Sequence, residues 1–233
     1  MGTAPVAVED YWRQRLASSE GGVNGVVWVE SRALDPRRPA MMLERPDGWR
    51  RAVVRPELAQ WLGGGTGGRL PAARLAERLR AAGVAFHDPD LRFYLPPAAA
   101  PGSDPPANVR RLCNADRATF DAFAAQASAH DRDAAYIELD HWAVFGCFDG
   151  ERLVSAASAI PWADSPLADL GVLTLAVARG RGFGRAVVEA CGAFARAVGR
   201  EHPYRCQADN APSIALAQAC GFALFGTWWV AEV

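Results

Sequence analysis

Residues 172–188 read V-L-T-L-A-V-A-R-G-R-G-F-G-R-A-V-V, and no other stretch limits the fold of this chain as tightly. The apolar run Val172-Leu173-Thr174-Leu175 has the composition of a buried strand. Arg179-Gly180-Arg181-Gly182-Phe183-Gly184-Arg185 follows, and an apolar face at helical spacing (Val187, Val188, Cys191, Phe194, Ala195) begins at once. A strand, a glycine turn and a helix start in series make an anion cradle. The glycines let backbone approach a ligand, and the helix start offers orphan N–H donors and the positive end of a dipole. The stretch therefore reads as a phosphate-binding site.

Two familiar phosphate loops fail here. A dinucleotide turn needs a small residue at its third position, but the count from Gly180 ends at Arg185 and the count from Gly182 ends at Val187. In the other glycine tract, Gly63 to Gly68, Arg69-Leu70-Pro71 follows where a phosphate loop requires Lys-Ser/Thr, so a mobile surface loop is expected there.

Around the turn, the second half of the chain is clearly patterned. Phe120, Phe123 and Ala127 share a helical face. A strand from Trp142 to Phe148 meets a hairpin signal at Asp149-Gly150 and returns from Arg152 to Ile160. Tyr204 to Ala208 reads as a strand, Asn210 to Ala219 as a short helix, and Phe222 to Val233 as a final apolar strand. This order predicts a mixed, mostly antiparallel sheet flanked by helices, of the α/β (α+β) class. In the first half, helices are expected over Glu9–Ser18, Pro56–Leu62 and Pro71–Ala82, with strands at Val26–Val29, Met41–Leu43 and Leu91–Leu95. Pro96 to Ala107 carries five prolines among alanines and reads as a linker. The expected organisation is an N-terminal α/β domain at 1–95, a linker at 96–107 and a second domain at 108–233.

Of 233 residues half are hydrophobic, and the net charge of −1 gives no support for nucleic acid or an anionic membrane as the main partner. The five cysteines form no C-x-x-C pair and read as buried thiols of a reducing compartment. The four histidines lack ligand spacing, so no metal site is expected. No leader pattern or membrane-length apolar run is evident, and a cytoplasmic protein is expected.

Arg179-x-x-Gly182-x-Gly184 resembles the R/Q-x-x-G-x-G/A turn of the GNAT superfamily of N-acyltransferases. Asn210-x-x-Ser213-x-x-Leu216 with Gly221-Phe222 resembles that family's second segment at its spacing, and the element order from Arg110 to Val233 agrees. The resemblance covers about half of the chain. It implies an acetyl-CoA-dependent transfer of an acyl group to a primary amine of a small molecule or peptide by direct attack. Val172, Leu173 and Thr174 would flank the pantetheine arm. Gly180, Arg181, Gly182, Phe183, Gly184 and Arg185 would hold the pyrophosphate, and Asn210 would reach the same cofactor. A backbone N–H near Thr174 or Leu175 would serve the oxyanion. The family's usual acidic tyrosine falls on Ala217, leaving Ser213, Tyr136 and Tyr204 as substitutes. For the base or amine-binding carboxylate, Asp169 lies one residue from the usual strand position at Ala168, and Glu138 heads the polar cluster Glu138, Asp140 and His141. That cluster can equally be a solvated strand end. A homodimer is compatible with the family, as is a CoA-binding regulatory module without catalysis. The N-terminal half carries none of these motifs and is compatible with a degenerate copy of the fold, a dimerisation module or a substrate lid.

Overall fold

The computed structural model describes residues 4–17, 20–97, 105–162 and 165–232. Residues 98–104 of the expected linker lie outside this set. The elements of the first half are α1 (Val6–Arg15), β1 (Val26–Glu30), β2 (Ala40–Glu44), β3 (Arg50–Val54), α2 (Pro56–Ala59, continued by a 3-10 turn to Leu62), β4 (Gly67–Leu70), α3 (Ala72–Ala81), β5 (Ala85–Phe86) and β6 (Asp90–Tyr94). Those of the second half are β7 (Val109–Arg111), α4 (Arg117–Ala124), α5 (Ala129–Ala135), β8 (Ala143–Asp149), β9 (Arg152–Pro161), β10 (Ala168–Thr174), α6 (Phe183–Ala197), β11 (Tyr204–Gln207), α7 (Ala211–Ala219) and β12 (Ala223–Glu232).

By packing, the chain divides into two units, and the division does not follow chain order. One comprises Met1–Val8, Tyr94–Tyr204 and Pro212–Ala223; the other comprises Glu9–Phe93, Arg205–Ala211 and Leu224–Val233.

The first unit is built on an antiparallel sheet in the order β10-β9-β8-β7. Its strands alternate between two buried faces, as the period of two requires. Val144, Val154, Ala156 and Leu173 pack with Phe120 and Phe123 of α4 and Ala135 of α5. Ala143, Phe145, Ala157, Ala159 and Ala168 pack with Val187, Ala190 and Cys191 of α6. Both faces are covered, which explains why β9 reads as an almost unbroken run of small and apolar residues. Gly150 takes φ +64° in the β8–β9 hairpin, the conformation that Asp-Gly signals in the sequence.

In the second unit the strand order is β11-β6-β12-β2-β3-β1-β4, with β5 beside β12. The final strand therefore pairs with strands of the first half of the chain: Trp228 lies opposite Leu43 and Val230 opposite Met41. One face packs on α2 and α3 through Trp28, Met42, Leu58, Leu75 and Leu79. On the other, Trp12 of α1 stacks on Phe225 at 6.0 Å and meets Trp228 edge-on at 5.9 Å. The paired tryptophans of β12 are thus sheet packing. The Arg51 side chain is buried and donates to Leu16 O at 2.7 Å, satisfying a carbonyl just past the end of α1.

One local expectation is overturned. Gly67 and Gly68 form an edge strand antiparallel to β1 instead of part of a loop. A Cβ at Gly67 would stand 2.8 Å from Trp28 O, and one at Gly68 would stand 3.1 Å from the Trp28 ring. The missing side chains let this strand lie against Trp28, so these glycines mark close approach.

The His202 ring of the first unit is buried against α6, where a Cβ on Gly192 would fall 2.0 Å from its Nε2. Burial, with Arg196 adding to it, lowers its pKa from 6.5 to about 4. The folded state therefore refuses a proton that the unfolded chain accepts, so this contribution to stability is complete above pH 6.5 and is lost as pH falls toward 4. Denaturant unfolding at pH 7 and pH 5 should show lower stability at pH 5, with a shallower pH slope in His202→Leu; equal slopes in the two proteins would refute this assignment.

Candidate functional site

Strand β10 has one edge in the sheet and one edge out of it. It pairs with β9 along its whole length, with Ala168 opposite Pro161 and Thr174 opposite Ser155. On its other side, the backbone pairing found among the described residues is with the segment before β11. Leu167 bridges Glu201 in parallel, with Ala168 N–H on Glu201 O at 2.9 Å and Glu201 N–H on Pro166 O at 2.9 Å. Strand β11 itself pairs with β6 in the other sheet. By alternation from Ala168, the backbone groups of Leu170, Val172 and Thr174 point out of the free edge. Leu173 O faces the other way and accepts from the Ser155 hydroxyl at 3.1 Å.

The free edge ends in the glycine turn. A single 3-10 turn (Ala176–Ala178) leads to Arg179, Gly180 takes φ +75°, and Gly182 takes φ +84° as the N-cap of α6. The left-handed conformation at both is one that only glycine adopts freely. The first intrahelical bond is Ala186 N–H to Gly182 O at 3.1 Å. The N–H groups of Phe183, Gly184 and Arg185 therefore have no helical acceptor. A Cβ at Gly180 or Gly182 would meet nothing within 4 Å, so space lies open beside these two glycines. Gly184 differs: a Cβ there would stand 2.9 Å from Thr174 Oγ1 and 3.5 Å from Leu216. It seats α6 against β10 and α7, and the Thr174 hydroxyl is held by Ser155 Oγ at 2.8 Å.

The arginines of the turn are all engaged with acids: Arg179 with Asp131 at 3.0 Å, Arg181 with Asp149 at 2.8 Å and Arg185 with Glu189 at 2.7 Å. Each is more than half exposed, so these pairs are worth ~0–1 kcal/mol and yield readily to a stronger anion. The Arg179 Nε also donates to Thr174 O at 3.2 Å, closing the end of the free edge. Asp131 has a lowered pKa, through the Ser128 hydroxyl first and Arg179 second.

On the face of β10 that carries α5, Gly171 is the contact point. A Cβ there would stand 2.2 Å from Ala135 O and 3.0 Å from Tyr136 O. Tyr136 ends α5 at φ +45°, a conformation a non-glycine residue seldom takes, with its side chain 62% exposed. Its ring lies 5.3 Å from that of His141. His141 Nδ1 accepts from Glu138 N–H at 3.3 Å and lies 2.9 Å from Ser158 Oγ. Ser158 is the cross-strand partner of Gly171. Burial lowers the His141 pKa against the opposing pull of Glu138 and Asp140.

An acetyltransferase (GNAT) family model matches residues 110–222, a span that contains the free edge, the glycine turn and α7. Residues 110–222 form a GNAT acetyltransferase domain. Solved structures agree on the fold. A GNAT-family protein from Novosphingobium aromaticivorans is 20% identical with a TM-score of 0.51, the match covering 64% of this chain and 66% of that one. A GNAT-family acetyltransferase from Colwellia psychrerythraea is 18% identical with a TM-score of 0.50, covering 64% and 57%. The match thus spans less than two thirds of either relative. No protein of curated function matches by sequence.

Within the GNAT domain the sequence candidates fall as follows. Val172 and Thr174 lie on the free edge that leads toward Gly180 through Arg185, whereas Leu173 turns its carbonyl to Ser155 and buries its side chain in the core. Asn210 stands at the head of α7, its N–H bonded to Gln207 O at 3.1 Å. Leu175 drops out as an oxyanion donor because its N–H is bonded to Val154 O at 3.0 Å; Val172 and Thr174 keep theirs at the edge. Asp169 shares the α5 face with Gly171, opposite in direction to Ala168, and Glu138 is exposed on the segment after α5. Ala217 is fully buried, while Tyr204 and Ser213 hydrogen-bond each other at 2.8 Å. Ser155, Ser158 and Gly171 were missed by sequence reasoning. Their only signal was a run of small residues in strands buried on both faces.

Gly171→Ala should lower stability by about 1–3 kcal/mol, because Ala135 and Tyr136 must lift off β10 to admit the methyl group. Chemical denaturation of the variant checks this, and an unchanged midpoint would contradict the described contact.

Proposed function

We propose that this chain transfers the acetyl group of acetyl-CoA to a primary amine of a small molecule or peptide by direct attack. The observation that carries this reading is the continuity of the β10 free edge with the left-handed glycines that open α6. The edge at Leu170, Val172 and Thr174 supplies backbone partners for the two amides of a pantetheine arm. The N–H groups of Phe183, Gly184 and Arg185, with the dipole of a 15-residue helix behind them, suit a pyrophosphate. An edge N–H at Val172 or Thr174 would stabilise the tetrahedral oxyanion without any particular side chain. The amine must lose a proton; Asp169 and Glu138 are the proposed carboxylates for this step or for holding the amine, both on the side of the sheet that carries α5. Acetyl-CoA acts here as a co-substrate, and the expected setting is the cytoplasm.

A second reading, a CoA-binding module without catalysis, is favoured by one observation: Ala217 is buried and brings no proton donor.

Acetyl-CoA at saturating concentration should raise the Tm, and Gly182→Val should abolish the rise, since a β-branched residue at φ +84° strains the turn and projects into the open space. No shift with millimolar acetyl-CoA would reject both readings. A shift without thiol release across a panel of amines would favour the binding module.

A further inference from the structure

Between the end of β7 and the start of β8 lies a cavity of about 500 Å³, lined by Leu112, Cys113, Asn114, Leu139, Asp140 and His141, with Arg111 also in its wall. We propose, resting on the transferase reading above, that this cavity holds the non-reacting ammonium of a diamine acceptor, together with an oxygen beside that ammonium, as in an α-amino amide.

The lining sets the chemistry. Leu112 and Leu139 are buried and form an apolar floor. Asp140 is the carboxylate of the lining, and no hydrogen bond or ion pair engages it among the described residues. The two arginines of β7 are committed elsewhere. Arg110 pairs with Asp116 at 2.6 Å, and Arg111 donates to Trp142 O at 2.9 Å with its guanidinium 4.6 Å from the Phe194 ring centroid. An unpaired carboxylate beside an apolar floor favours a cation. The Asn114 amide is likewise unengaged among the described residues and can accept a further ammonium proton. His141 Nδ1 accepts from Glu138 N–H at 3.3 Å, so the proton of the neutral ring sits on Nε2. As a donor, Nε2 suits an oxygen and not a second cation. The set matches an ammonium with a neighbouring hydroxyl or carbonyl oxygen. An ammonium held by a carboxylate stays protonated and cannot attack a thioester, so the amine that reacts must be a second one.

Level and face connect the cavity to β10. Arg111 lies opposite Phe145, and Leu112 N–H bonds Val144 O at 2.8 Å. Val144 lies opposite Ser158, and Ser158 opposite Gly171. The floor is therefore level with Gly171, between the edge groups of Leu170 and Val172. Leu112 and Leu139 pack with Phe120, Phe123 and Ala135, and Ala135 O is the atom that Gly171 meets on the same face of the sheet. His141 spans the interval, since its Nδ1 lies 2.9 Å from Ser158 Oγ. The exposed Tyr136 ring, 5.3 Å from the His141 ring, offers an apolar wall for a methylene stem.

From β8 to β10 is two strand spacings, ~10 Å. An extended chain of about six bonds covers ~7 Å, and a hydrogen-bond length at its end makes up the rest. That is the reach from the α-ammonium to the side-chain amine of a basic amino acid.

The test uses the full chain and two probes: lysinamide, and aminohexanamide, which differs from it only in lacking the α-ammonium. Cys113 is the exposed cysteine and lines the cavity, so its alkylation by iodoacetamide, followed by peptide mass spectrometry, reports occupancy without CoA. Lysinamide should slow the alkylation and aminohexanamide should not. Asp140→Asn should weaken the protection about tenfold, the loss of one charge-assisted hydrogen bond. No protection by lysinamide, or equal protection by both amides, would overturn the proposal. Thiol release from acetyl-CoA then reads the acceptor role. In wild type, kcat/KM for lysinamide should exceed that for aminohexanamide by about tenfold, and the advantage should collapse in Asp140→Asn; a retained advantage would count against the site. Protection without thiol release from either amide would overturn the transferase reading, and the acceptor role with it. Release without protection would overturn this proposal alone. A thermal melt confirms that each variant is folded, and if Asp140→Asn is not, Asn114→Ala carries the same comparison.

Discussion

The structure depends on β10 being paired on one side and released on the other. Ser155 Oγ binds both Leu173 O and Thr174 Oγ1, anchoring the strand to β9 at the end where the turn begins. The Leu167–Glu201 bridge joins β10 to the next segment for one step only. Unpaired backbone in a strand is a liability unless something covers it. The proposed covering group is an acyl donor, because the open edge leads into open N–H groups at a helix start.

Close packing fixes this geometry more than charge does. Gly184 brings α6 onto Thr174, Gly171 brings the end of α5 onto β10, and Gly192 admits the His202 ring. Each contact would fail on addition of one methyl group. The arginines, by contrast, are exposed and already paired. Their contribution to binding an anion is the exchange of one partner for another, a small net term, whereas the fixed N–H groups of the turn need no rearrangement.

The turn from Arg179 to Arg185, the hairpin at Asp149-Gly150 and the helix from Ala72 to Ala81 were legible in the sequence because each is encoded locally, by positive-φ glycines or by a 3.6-residue apolar period. Gly67 and Gly68 misled, because a glycine that permits mobility and a glycine that permits close approach look alike until Trp28 is placed beside it. Leu175 misled as an oxyanion donor because the direction of an N–H in a strand depends on its cross-strand partner. The cluster of Tyr136, His141 and Ser158 was half visible: His141 stood out by residue type, but Ser158 joins it only through the register of β9.

By itself the sequence determined the glycine turn, its exclusion from the dinucleotide and Lys-bearing loop classes, and the family resemblance from Arg110 to Val233. These follow from short-range patterns in which spacing dictates geometry. Only the tertiary structure decided that β12 completes the sheet of the first half of the chain, which edge of β10 is free, and that Tyr204 meets Ser213 beside Ala217. Strand partnership and the meeting of distant side chains are long-range choices made by burial and register, and the same apolar strand pattern is compatible with several of them.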